Sequence, residues 1–285
     1  MNGQQPRTVL VTGATGTVGR HLVTALLDAD VRVRALVRHP GTARFPAAVE
    51  VVRGDLLVPD DVARAAAGAN AAFLLWPGLD GTGADAVAGA LAARVDRVVY
   101  LSAAELQDDR VGPKDGAWAD VEAALRATGV GATFLRAGGF AANTLGWAPA
   151  IRAGEPVALP FPEAVRSPVH ERDIADVAAA ALQDPRHAGT AYEITGPEQL
   201  TMRRQAEIVA PGGIVRHQAR AEAEAEMATI MGREYASAAL AYWATLEASP
   251  ERVSDDVERV LGRPARTYAA WTRDHADDFR LAHAK

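Results

Sequence analysis

The chain has 285 residues, 49% of them hydrophobic and 23% charged, a composition that excludes disordered, collagen-like and coiled-coil classes. Thirty Lys plus Arg stand against 36 Asp plus Glu, a net charge of −6 with no basic block, so the chain carries no electrostatic footprint for nucleic acid or an anionic membrane. Cysteine is absent, which removes disulfides, thiolate metal sites and cysteine nucleophiles.

Short β-branched runs alternate with alanine-rich helical segments through the first half. Thr8 to Thr12 reads as a strand, followed by a glycine turn and a helix over Val18 to Ala29. Val31 to Val37 and Glu50 to Arg53 read as strands, Pro59 to Ala67 as a helix, and Ala71 to Trp76 as a strand. A helix over Ala84 to Arg94, a strand over Arg97 to Ser102, a helix over Trp118 to Ala127 and a strand over Thr133 to Arg136 follow. Strand–helix alternation at this spacing predicts an α/β, Rossmann-like doubly wound parallel sheet, and the unbroken apolar strands predict burial on both faces.

After Gly138 the rhythm breaks at Pro149, Pro156, Pro160, Pro162 and Pro168, which no single long helix accommodates. A helix over Arg172 to Leu182 and a strand over Ala191 to Thr195 resume it. Residues 219–280 read as mostly helical, with the Ala-Glu alternation at 221–226 an exposed helix because both residues favour that state. The expected organisation is a nucleotide-binding core over residues 1–137. A smaller substrate and lid region, mostly helical towards its C-terminal end, is expected over 138–285, returning partly to the core at 171–196.

The strongest signal is Val-Leu-Val-Thr-Gly-Ala-Thr-Gly-Thr-Val-Gly-Arg at residues 9–20. Gly13, Gly16 and Gly19 follow an apolar strand and open a helix. The first permits the tight turn, the second lets the backbone approach a pyrophosphate, and the third lets helix and strand pack closely. Thr15, Thr17 and Val18 complete a loop whose amides face the phosphates at the positive end of the helix. A carboxylate ~20 residues further on would select NAD through its ribose hydroxyl. From Val31 to Val49 there is no acidic residue; Arg32, Arg34, Arg38 and Arg44 stand there instead. Arg38, at the tip of the second strand, suits a 2′-phosphate through a forked contact, so NADP(H) is expected. Arg32 and Arg44 read as solvated sheet-edge residues.

The glycine spacing, Arg38, Gly54-Asp55-Leu56 and Val99-Tyr100-Leu101-Ser102 together resemble the atypical short-chain dehydrogenase/reductases. Within these, Thr133-Phe134-Leu135-Arg136, Gly138-Gly139-Phe140, Asn143 and the run Val169 to Ala175 are similar to the NmrA-like branch. That resemblance implies that Asp55 and Leu56 touch the adenine and that Leu75 and Trp76 lie beside the ribose. It places Ser102 near the nicotinamide, and Gly138 and Phe140 along the cofactor's reactive end.

Reduction of a carbonyl leaves an alkoxide that needs a proton donor or stabiliser. Reductases of the short-chain type supply a tyrosine with a lysine four positions on. Neither Tyr100, Tyr192, Tyr235, Tyr242 nor Tyr268 has one, and Lys114 and Lys285 are the only lysines. Counting by the family pattern puts the tyrosine position on Lys114 and the lysine position on Trp118. Ser102 and His170 are the remaining catalytic candidates, with water or the substrate's own phenol or enol as further proton sources. Phe140, Asn143, Trp147 and Phe161 are the expected pocket, while Tyr242 and Trp243 read better as core.

These readings predict an NADPH-dependent ketoreductase or quinone reductase for a hydrophobic aromatic, polyketide-like small molecule, of the kind that serves antibiotic biosynthesis. The alternative is a non-enzymatic NADP-sensing regulator, as the NmrA-like resemblance allows. No His, Asp or Glu cluster has metal-ligand spacing, so no metal is expected. No apolar run approaches the ~18 residues that cross a bilayer, no signal peptide is visible, and a cytoplasmic location follows. The sequence sets no oligomeric state.

Overall fold

A computed structural model describes residues 7–78, 80–106 and 116–280. In chain order its elements are β1 (Thr8–Val11), α1 (Gly19–Asp28), β2 (Arg32–Val37), β3 (Glu50–Arg53), α2 (Pro59–Ala66), β4 (Ala71–Leu74) and α3 (Ala84–Ala92). Then come β5 (Arg97–Ala103), α4 (Ala117–Thr128), β6 (Gly131–Ala137), α5 (Ala148–Ala153), β7 (Val157–Leu159) and β8 (Val165–Arg166). They continue with α6 (Glu171–Gln183), β9 (Ala191–Ile194), β10 (Leu200–Thr201), α7 (Met202–Val209) and β11 (Val215–His217). The last are α8 (Arg220–Met231), α9 (Arg233–Thr245), α10 (Asp256–Leu261) and α11 (Tyr268–Asp274). The chain divides into two compact units: Met1–Gly138 with Glu171–Ile194 and Asp256–Arg263, and Gly139–His170 with Thr195–Asp255 and Pro264–Lys285.

The first unit is built on a seven-stranded sheet in the order β3-β2-β1-β4-β5-β6-β9. Every neighbouring pair is parallel. This is the doubly wound architecture that the strand–helix alternation predicts. Leu10, Leu36, Leu74, Tyr100 and Phe134 point to one face and form a core with α2, α3 and α4, while α1 and α6 pair on the other. In α1 the buried residues are Gly19, Leu22, Val23 and Leu26, the i, i+3, i+4, i+7 stripe of a helix with one face on a sheet. Fully burying Leu22 and Leu26 contributes roughly 2 kcal/mol each. Helix α10 is tied into this unit by Arg263, which bonds Asp173 at 2.9 Å and Asp176 at 2.6 Å. Asp256 adds to this by accepting the Glu193 N–H at 2.7 Å.

Strand order reverses between β1 and β4. Connections leaving the carboxyl ends of these two strands diverge to opposite sides, which opens the crevice where ligands of this architecture bind. The glycine turn follows β1 at that point.

The second unit has its own core, in which Ile151, Leu159, Met202, Val209, Leu246 and Tyr268 surround the fully buried Trp271. Trp271 stacks on Tyr268 and His275, with ring centroids 5.5 and 4.5 Å away. Two small ladders brace it: β7 beside β11, parallel, and β8 against β10, antiparallel. The sequence reading left these segments irregular, because two- or three-residue strands show no periodicity. Pro149 sits in the first turn of α5, where its missing N–H costs nothing. The Ala-Glu repeat is helical in α8, with Ala223 its one buried residue.

Candidate functional site

The turn after β1 is fixed by Thr12, whose Oγ1 donates to the Phe73 carbonyl at 3.1 Å and accepts the Leu75 N–H at 2.9 Å. This locks the ends of β1 and β4 together. Gly13 follows with φ +61°, a left-handed conformation that disfavours other residues, and its carbonyl accepts the Gly16 N–H at 2.9 Å. A Cβ on Gly19 would collide with the Gly13 carbonyl and lie 2.8 Å from the Ala14 Cα, so the helix could not pack on the turn. Gly16 differs: its φ is not left-handed, and a Cβ would meet only the Gly13 carbonyl, at 3.2 Å.

The fold itself thus requires the first and third glycines, and the second keeps a bare backbone at the cradle. Val18 caps α1 without a side-chain hydrogen bond, and no acidic residue occupies its first turn. These features fit a dinucleotide diphosphate, which Gly13, Thr15, Gly16, Thr17, Val18 and Gly19 would hold.

Beside the turn, a groove of about 420 Å³ runs between α1 and the segment after β2, with Thr15, Arg20, Thr42, Arg44 and Phe45 among its walls. Arg38 is exposed just past the end of β2, as its place in the sequence predicts, but is not among the groove's walls. Arg44, read from sequence as solvated, is exposed and is one of them. Arg34 is committed elsewhere, donating to the carbonyls of Ala65 and Ala67 and pairing with Glu50.

Asp55 accepts the Leu57 N–H at 3.0 Å and donates its own N–H to Asp61 at 2.8 Å, which closes the turn after β3. Leu56 and Trp76 are buried in the core, the Trp76 indole donating to the Asp80 carbonyl at 2.7 Å. Leu75 is half-buried against Gly13.

Ser102 is buried at the end of β5, and its hydroxyl donates to Glu122 Oε1 at 2.7 Å. Arg136 on β6 grips the same carboxylate through Nε to Oε1 at 3.0 Å and Nη2 to Oε2 at 2.8 Å, while Arg126 reaches Oε2 at 3.4 Å. Burial works to raise the Glu122 pKa, but Arg136 and Ser102 outweigh it and hold the carboxyl below its usual range. The Ser102 proton is therefore directed at Glu122. Tyr100, two residues earlier, is fully buried, its hydroxyl has no hydrogen-bond partner among the described residues, and burial followed by the Glu122 charge pushes its pKa well up. Lys114, which the sequence count expects at the family's tyrosine position, lies outside the described residues.

Gly138 directly follows β6, its N–H donating to the Ile194 carbonyl at 2.9 Å. In the second unit Phe140, Asn143 and Trp147 line a small pocket with Gly139, Arg166, Met202 and Trp243. Phe161 is not among the lining residues and packs on the core, while Trp243 packs on the core as expected and also lines the pocket. Next to Trp243 on α9, Tyr242 donates its hydroxyl to Glu251. His170 is buried, with Nε2 3.3 Å from Asp274 Oδ2. Among the described residues no group of three or more His, Asp or Glu could hold a metal ion, and no helix is long and apolar enough to cross a membrane.

The NmrA-like family matches residues 5–212. The chain is 35% identical over 282 residues to (4-alkanoyl-5-oxo-2,5-dihydrofuran-3-yl)methyl phosphate reductase of Streptomyces griseus, covering 95% of this chain and 99% of the relative. It is 32% identical to an NAD(P)H azoreductase of Xenophilus azovorans, covering 96% and 100%. The structure of an NADPH-dependent quinone oxidoreductase from Escherichia coli, complexed with NADPH, superposes with a TM-score of 0.78 at 22% identity, covering 93% of this chain and 99% of that one. With its glycine turn, parallel sheet and β6 signature inside the matched span, the chain belongs to the NmrA-like family.

Proposed function

We propose that this protein is an NADPH-dependent reductase of a small, flat, apolar ketone or quinone, working without a Tyr–Lys pair. The observation that carries the reading is the turn at Gly13–Gly19, whose middle glycine the fold does not itself require. Two relatives named as reductases, aligned along nearly the whole chain, support it. Arg38 and Arg44 supply positive charge for a 2′-phosphate, which favours NADPH over NADH. Bound there, the dinucleotide supplies a hydride from its nicotinamide ring.

The chain's own contribution is binding, orientation and exclusion of water. The Gly13–Gly19 amides hold the diphosphate, and the aromatic pocket of the second unit takes the acceptor. Ser102 and His170 keep their polar atoms on Glu122 and near Asp274, so in this reading they position their surroundings and the proton comes from water. The test is acceptor-dependent loss of the NADPH absorbance with a quinone, a conjugated lactone and an aromatic ketone tried separately. Saturable NADPH binding with no turnover on any acceptor would favour the sensor alternative.

A further inference from the structure

We infer that Arg166 holds the carbonyl oxygen of the acceptor, and that the acceptor is a single-ring α,β-unsaturated lactone or ketone. The inference rests on the reductase reading and adds the substrate class and the group that recognises it. The pocket offers about 70 Å³. At about 10–15 Å³ per water this holds on the order of five waters, the bulk of one small ring rather than of a polycycle. Phe140, Trp147, Met202 and Trp243 give it apolar walls beside the polar Asn143, Thr144 and Gln205, and among the described residues Arg166 is the one charged residue in its lining.

The guanidinium is held from one side. Its Nε and Nη2 both donate to Glu251 Oε1, at 3.2 and 3.0 Å, and it lies over the Trp243 ring at 5.7 Å. Glu251 is itself fixed, accepting the Tyr242 hydroxyl on Oε1 at 2.9 Å and the Ser167 N–H on Oε2 at 2.9 Å. Among the described residues Nη1 has no hydrogen-bond acceptor. Three N–H donors, two on Nη1 and one on Nη2, thus remain on a positioned, largely buried cation that lines the pocket.

The pairing with Glu251 decides what those donors suit. The carboxylate fixes the guanidinium in place and leaves its remaining N–H groups for an oxygen that carries negative charge. An oxygen that turns negative during reaction meets these oriented donors just when it needs them. A conjugated carbonyl behaves in this way. The β-carbon accepts the hydride, the C=C pair shifts to the bond between α-carbon and carbonyl carbon, the C=O pair moves onto oxygen as an enolate held by Arg166, and a proton from water joins the α-carbon as the C=O re-forms. The acceptor gains two electrons and NADPH becomes NADP⁺, so the step balances.

The test uses two neutral-pH probes of one size: the tetronic acid anion, a stable mimic of the enolate, and uncharged 2(5H)-furanone. Binding is read from quenching of tryptophan fluorescence, since Trp147 and Trp243 line the pocket. The full-length protein should prefer tetronate by roughly ten- to hundred-fold, the range of a charge-assisted hydrogen bond. Arg166→Gln should abolish that preference, weakening tetronate far more than furanone, and leave NADPH binding unchanged. Should the lone Glu251 unfold that variant, the paired Arg166→Gln/Glu251→Gln protein answers the same question with no buried charge. No preference in the natural protein, or a preference that survives in the folded variant, would overturn the inference. Turnover with indifference to Arg166 removes the inference and leaves the reductase; Arg166-dependent tetronate binding without turnover does the reverse.

Discussion

Gly139 and Arg166 are packed so closely that only a hydrogen fits between them: a Cβ on Gly139 would lie 2.5 Å from the guanidinium carbon of Arg166. Gly139 shows no left-handed φ, so this contact explains the glycine. Gly139→Ala should push the guanidinium off Glu251 and cost about 1–3 kcal/mol, the range of an overpacked core. The cost should shrink several-fold when Arg166 is already glutamine, because the clash is then relieved. Urea denaturation of the four proteins in the cycle measures this coupling, and an equal cost in both backgrounds would refute the contact's role.

Gly16 and Gly19 should separate binding from folding. Gly19→Ala drives a methyl into the turn's backbone and should lower the melting temperature sharply with or without cofactor. Gly16→Ala should change stability by less than about 1 kcal/mol, the size of a glycine-to-alanine backbone effect, while weakening NADPH ten-fold or more. Thermal melts and calorimetric titration give the two readings. A Gly16→Ala protein that binds NADPH normally would remove the phosphate cradle from the account.

Arg38→Ala and Arg44→Ala should each weaken NADPH far more than NADH, by roughly ten-fold or more for one charged hydrogen bond to the extra phosphate. Equal losses for both coenzymes would sink either assignment. Arg44 faces the groove and Arg38 stands at the β2 end, so the double variant shows whether they share one ligand.

Glu122→Gln should destabilise the first unit by about 3–5 kcal/mol at neutral pH, since it leaves Arg136 buried beside a neutral group. Its carboxyl is held below the ordinary value, so its contribution is fully present above the unfolded pKa, about 4.3. It is lost as pH falls through the lower folded value. The gap between natural protein and variant should therefore be full at pH 7 and narrow on acidification below about 4.3. Denaturant titrations across that window check it, and a gap that widens in acid would contradict the ion network.

How much of this was legible in the sequence follows the range of the interactions. The glycine turn is local, and its strand–turn–helix context fixed the crevice because one short run carries all of it. The sheet followed from unbroken apolar strands alternating with helices. The Arg166–Glu251 pair spans 85 residues, and no periodicity joins β8 to the segment after α9. The same distance hides why Gly139 is glycine and why Trp243 reaches the pocket. The place of the exposed Arg44 beside the groove was hidden for a similar reason, since the irregular segment after β2 folds back towards α1 without a pattern to announce it.

One measurement bears most directly on the central claim: the nicotinamide absorbance of NADPH, followed with purified protein before and after a conjugated single-ring lactone or enone is added. Steady, enzyme-dependent loss only once the acceptor is present, and much slower with NADH, is the predicted result. An absorbance that stays flat with every acceptor, in a protein that calorimetry shows not to bind NADPH, would contradict it.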